Sequence, residues 1–79
     1  MMANWLKIAR PNVEMSNGFL LYQSLIINLD AANAFAIQNP GTVSVFIDGK
    51  AYVVQQQFDD KAYQTVLKYA QQRTGQSLT

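Results

Sequence analysis

Cysteine and histidine are both absent from this chain of 79 residues. Without cysteine there is no disulfide framework and no thiolate metal site. Without histidine, the usual acid–base group near neutral pH and the commonest metal ligand are missing. Charge is scarce: charged residues make up 14% and the net charge is +1, against a typical charged share of about 25%. So weak a field does not draw nucleic acid or anionic lipid over a distance. Long apolar runs are missing too. The longest, Phe19–Leu29, is interrupted by Gln23 and Ser24 and closed by Asp30, whereas a bilayer span needs about 20 residues. The opening MMANWLKIAR has no apolar signal-peptide core. The expectation is a cytoplasmic, bacterial protein with no membrane contact.

What is present is apolar surface. Hydrophobic residues reach 49%, which argues against disorder. The length allows one domain, residues 1–79, and a domain this small hides only about 60–65% of its unfolded surface. Small domains without staples often gain stability by oligomerising.

The clearest local pattern is Thr42–Gln57, TVSVFIDGKAYVVQQQ. It alternates as a β-hairpin does, around a two-residue turn at Asp48-Gly49 or Gly49-Lys50. Val43, Val45, Ile47, Tyr52 and Val54 share one face. Phe46 and Val53, with Ser44 and Ala51, share the other. Both faces are apolar, and one small helix can cover only one of them.

That helix follows. Asp59 or Asp60 opens it, with the Asp59 carboxylate as the cap of a free backbone N–H. Phe58 and Tyr63 occupy hydrophobic-staple positions. Ala62, Tyr63, Val66, Leu67 and Ala70 form one stripe at i, i+3, i+4 spacing, while Lys61, Gln64, Lys68 and Gln71 lie off it. The helix runs to about Arg73 and stops at Gly75, and residues 76–79 are expected to be a loose tail.

Upstream, Asn4–Ala9 reads as a strand ended by Arg10-Pro11. Pro11–Gly18 is polar, with a turn at Ser16-Asn17-Gly18. Leu25–Leu29 reads as a buried strand. Phe19–Ser24 fits strand or helical turn equally, because periodicity does not separate them in so short a run. Asp30–Asn33 is a corner, in which Asp30 can bond the backbone two residues on. Ala34–Gln38 is taken as a strand preceded by a short helical turn, and Asn39-Pro40-Gly41 leads into the hairpin. The fold expected is α+β: an antiparallel β-meander of four to five strands with one C-terminal amphipathic helix packed on the sheet.

The run Ile27-Asn28-Leu29-Asp30, then a strand, a V-x-V-F hairpin with Asp-Gly, Phe58 and an amphipathic helix, resembles small uncharacterised bacterial proteins. In these an INLD segment starts a sheet closed by a C-terminal helix. The likeness spans about Leu25–Arg73 and implies a fold rather than an activity. It transfers no functional residue.

No constellation signals catalysis. Glu14, Asp30, Asp48, Asp59 and Asp60 all read as turn, loop or capping acids. The four glycines stand alone, with no phosphate-binding motif. The serines lack a histidine base. No catalytic residue, cofactor or metal is expected, and the chain reads as non-enzymatic. The first reading is therefore a self-associating module, a homodimer or larger, with Trp5, Phe46 and Val53 at the interface. The alternative is a single-stranded nucleic-acid binder. Four strands followed by a helix resemble the layout of the Whirly-type β4α single-stranded-DNA-binding folds. In that reading exposed aromatics such as Trp5 and Phe46 stack on bases beside Lys7, Arg10 and Lys50. The even charge balance and the lack of a basic stripe favour the first reading.

Overall fold

The computed structural model describes residues 4–15 and 18–79. Ser16 and Asn17 of the expected turn, and the first three residues of the chain, lie outside them. The fold is α+β, with antiparallel strands and a C-terminal helix. Among the described residues there are seven short strands where four to five are expected: β1 (Trp5–Ala9), β2 (Asn12–Met15), β3 (Gly18–Leu21), β4 (Ser24–Asn28), β5 (Ala34–Asn39), β6 (Thr42–Ile47) and β7 (Lys50–Gln55). Helix α1 spans Asp60–Thr74.

The extra strands arise because residues 4–15 and 18–28 pair as one long antiparallel ribbon, bent in the middle. β1 pairs with β4 and β2 with β3 in an unbroken register, Ala9 facing Ser24 and Asn12 facing Leu21. Asn12–Met15, within the segment read as polar, is thus strand. Asn12 and Glu14 are polar because they lie on a sheet face away from the helix, whereas Val13 turns inward and is buried.

At the bend the hydrogen-bond ladder changes phase. Arg10 N–H donates to the Gln23 carbonyl (2.9 Å), and Tyr22 N–H donates to the Pro11 carbonyl (3.1 Å). A flat antiparallel ladder bonds alternate pairs, never consecutive ones. Arg10 permits the change by adopting a left-handed conformation, φ 51°. The proline that ends β1 therefore ends a strand without ending the ribbon.

The β2–β3 half of the ribbon joins the meander. The main sheet runs β3-β2-β7-β6-β5, while β1 and β4 form a second, two-stranded sheet. The β6–β7 hairpin turns at Asp48-Gly49, both with positive φ (52° and 79°), as a tight primed turn requires. Asn33 anchors this tip, its side-chain oxygen accepting from Asp48 N–H at 3.3 Å. A short 3-10 turn, Leu29–Ala31, precedes β5, as expected.

The core lies between three layers of contact. Val43, Val45 and Val54 supply the sheet; Ala62, Tyr63 and Val66 supply the helix; Ile8, Ile27 and Leu29 come from the ribbon and its 3-10 turn. The helix begins and ends as its sequence dictates. The Asp59 carboxylate accepts from Ala62 N–H at 3.0 Å, and Gly75 closes the last turn with φ 77°. Phe58 sits beneath the Arg10 guanidinium, 5.6 Å from the ring centre, while Tyr63 enters the core. The expected loose tail brings Leu78 back against the core.

Candidate self-association surface

The register divides the main sheet into two faces. Val43, Val45, Tyr52 and Val54 point to the helix side. On the opposite face two rows run across the strands. One is Phe19, Glu14, Ala51, Phe46 and Ala34; the other is Leu21, Asn12, Val53, Ser44 and Ala36. Phe46 and Val53 share this face as the alternation predicts. The centre of each row is small, and Val53 keeps only 9% of its surface in the single chain. The large exposed side chains of the face, Phe19 and Leu21, lie at its β3 end.

β3 was not recognisable as a surface feature. All four of its residues are exposed. Phe19 is 63%, Leu20 46% and Leu21 72% accessible, and Tyr22 just beyond is 39% accessible. β3 is an end strand of the five-stranded sheet. Its outer edge has no partner among the described residues. Protected edges carry lysine, proline or a bulge, and Gly18–Gln23 carries none of the three. The apolar run FLLY resembles a core strand, and no local signal distinguishes an apolar run inside a fold from one left outside it.

Trp5 lies elsewhere. Together with Lys7, it is on the outer side of the two-stranded sheet, where Lys7 faces Ile26. Lys50 stands at the tip of the β6–β7 hairpin, opposite Ile47. Arg10 sits at the ribbon corner over Phe58, next to a mostly apolar hollow of about 370 Å³ that Leu21, Tyr22 and Gln23 also line. The structure therefore places the three expected cations on three separate elements, and it separates Trp5 from Phe46 and Val53.

Among the acids, Asp30 ties separate elements of the fold together. Asp30 was expected to bond its own turn, but Asn28 does so instead, its side-chain oxygen accepting from Asp30 N–H at 3.0 Å. The Asp30 carboxylate reaches farther. It accepts from the Asn4 backbone N–H and side-chain amide, both at 3.0 Å, and from the Tyr69 hydroxyl. Arg73 completes the group by donating to the Leu29 carbonyl at 3.0 Å. Strand entry, 3-10 turn and the last turns of α1 are thus tied at one carboxylate. The Tyr69 hydroxyl bond, helped by Asn4, lowers the Asp30 pKa from 3.8 to about 2. Burial, with the Asp30 charge beside it, raises that of Tyr69.

A depressed carboxylate pKa contributes stability that is present above the unfolded value and disappears as pH falls through the folded one. Thermal unfolding followed from pH 6 down to pH 2 is expected to show a steady loss of melting temperature between about pH 4 and 2. In Asp30→Asn that part of the slope is expected to flatten, with a lower melting temperature at neutral pH. An unchanged slope would assign the acid sensitivity to other groups.

Two surface grooves, of about 500 and 560 Å³, flank Leu78. Neither is lined by an aspartate or glutamate side chain. Among the described residues, no group of three or more His, Cys, Asp or Glu side chains could hold a metal ion. No helix among them is long and apolar enough to cross a membrane. Compared with protein-family models, curated proteins and solved structures, the chain matches none.

Proposed function

We propose that this chain is a non-enzymatic module that self-associates through the apolar sheet surface ending at β3. One observation carries the reading: Phe19, Leu20 and Leu21 stand exposed together on an unprotected strand of a small, weakly charged domain. Phe19 and Leu21 lie on one face of β3 and Leu20, with Met15, on the other; counted over both faces of the edge, and with Tyr22, these side chains offer roughly 500 Å² per copy, taking about 200 Å² for a fully exposed side chain of this size. Two copies then reach the total of about 1,000 Å² that a specific interface needs. Exposed apolar area of this extent matches the largest patch of an ordinary monomer, about 300–600 Å², which is often functional. Phe46 shares a face with Phe19 but lies beyond Glu14 and Ala51 on it; Val53, nearly buried, supports that face more than it contacts a neighbour.

Mass in solution tests the proposal. At low micromolar concentration the chain is expected to sediment as a dimer or larger, and Leu21→Lys to shift it to monomer while keeping its far-ultraviolet circular dichroism. A wild-type monomer with an ordinary cooperative melt would overturn the reading. Adding a single-stranded oligodeoxythymidine to the same samples separates the alternative. Binding through Lys7, Arg10 and Lys50 would raise the mass at 50 mM salt and fall steeply with added salt; no such change is expected.

A further inference from the structure

The backbone of β3 fixes how a second copy would fit. Tyr22 N–H points to Pro11, and an antiparallel ladder bonds every second residue. Leu20 and Gly18 therefore also face β2. The N–H and C=O groups of Phe19 and Leu21 face outward, away from the sheet. Only pairings that bring these two residues into bonded positions satisfy the edge.

We propose that β3 pairs antiparallel with β3 of a second copy about a two-fold axis at Leu20, joining the two five-stranded sheets edge to edge. This deepens the self-association reading above and rests on it. In this register Phe19 lies opposite the partner's Leu21, and Leu21 opposite the partner's Phe19, each pair exchanging both backbone bonds. Leu20 faces the partner's Leu20 in the non-bonded position, where side chains come closest. Gly18 faces the partner's Tyr22, an aromatic ring across from a glycine, a pairing that shields the bare backbone.

The side chains suit the register on both faces. Phe19 and Leu21 form a four-membered apolar cluster about the axis, on the same face as Phe46. Aromatic–aliphatic pairs of this kind stabilise strands directly opposite one another. No charged residue occurs between Gly18 and Gln23, so the two-fold places no like charges across the seam. Shifting the axis to Phe19 or to Leu21 also satisfies the bonding phase, but it leaves one end of β3 without a partner strand.

The chain has no cysteine, so single cysteines report the register directly. Leu20→Cys is expected to form a disulfide-linked dimer on mild oxidation, because non-bonded pairs bring Cα atoms to about 4.5 Å, inside the range a disulfide spans. Phe19→Cys alone is expected to stay unlinked, since its copies lie about 8–9 Å apart in this register. Leu21→Pro removes an N–H that β2 does not use, so it is expected to leave the fold intact and weaken the dimer about 100-fold.

The outcomes separate the two readings. A wild-type monomer removes both. A wild-type dimer in which Leu20→Cys resists oxidation, while Phe46→Cys links readily, keeps self-association and overturns the edge pairing in favour of face-to-face packing. A dimer in which Phe19→Cys links and Leu20→Cys does not also overturns it, by moving the axis.

Discussion

Ile8→Ala is expected to lower the free energy of unfolding by about 2–5 kcal/mol, the usual range for emptying a buried isoleucine site. Ile8 is fully buried. It projects from the inner side of β1 into the cluster formed by Val43, Val45 and Val54 on the sheet and Ala62, Tyr63 and Val66 on the helix. The void would open where the ribbon meets both other layers, and none of the three can close it without leaving the other two. A domain of 79 residues has roughly 4–12 kcal/mol in total, so the loss is a large share. Urea unfolding measures it. Ile26→Ala on the outer side of the same ribbon, where the side chain is exposed, is expected to stay within about 1 kcal/mol. Equal costs at the two positions would mean that the ribbon is not docked as described.

Asp59→Ala is expected to cost about 2.5–4 kcal/mol because one carboxylate does two things. Oδ1 accepts from Ala62 N–H at 3.0 Å and caps α1; a lost cap costs about 1 kcal/mol. Oδ2 accepts from Ala9 N–H at 2.9 Å. That N–H points away from β4, because the β1–β4 ladder bonds Asn4 and Arg10 and so leaves Ala9 in a non-bonded position. A hydrogen bond to a charged group contributes about 1.5–3 kcal/mol. Asp59→Asn divides the two, since an amide keeps one accepting oxygen for Ala62 and presents donors to Ala9. The asparagine variant is expected to recover about 1 kcal/mol of the alanine loss. Recovery of the whole loss would show that the link to β1 contributes nothing.

The elements whose cause is local could be read from the residues. The β6–β7 hairpin announces itself by alternation and by Asp48-Gly49. The helix does so by its stripe, by Asp59 and by Gly75. The 3-10 turn and β5 follow from the corner at Asp30–Asn33. What escaped had its cause at a distance. Asn12–Met15 looks like a loop because its partner β7 lies about forty residues away, and its polar side chains are those of a strand with one open face. Arg10-Pro11 looks like a terminator, since a left-handed arginine that re-phases a ladder leaves no mark in the sequence. Asp30 looks like a turn acid, yet it bonds Asn4 and Tyr69, which only the fold brings to it. The residues expected at an interface divide the same way. Alternation places Phe46 and Val53 on one face correctly, but it does not show that Val53 is shaded by its neighbours. Nor does it show that Phe19, Leu20 and Leu21 are left uncovered at the edge.

The seam between β2 and β7 also bears on how the chain reaches this state. The bent ribbon and the β5–β7 meander each form from neighbouring segments, and hairpins of that kind close in about 1–10 μs. Val13 meets Tyr52 only when both halves exist, so joining them carries the cost of closing a long loop. The order expected is two fast local foldings followed by one slower docking step, in which α1 and the β2–β7 seam lock together. Until that step is complete, β2 and β7 are bare edges, like the one that β3 retains in the finished chain.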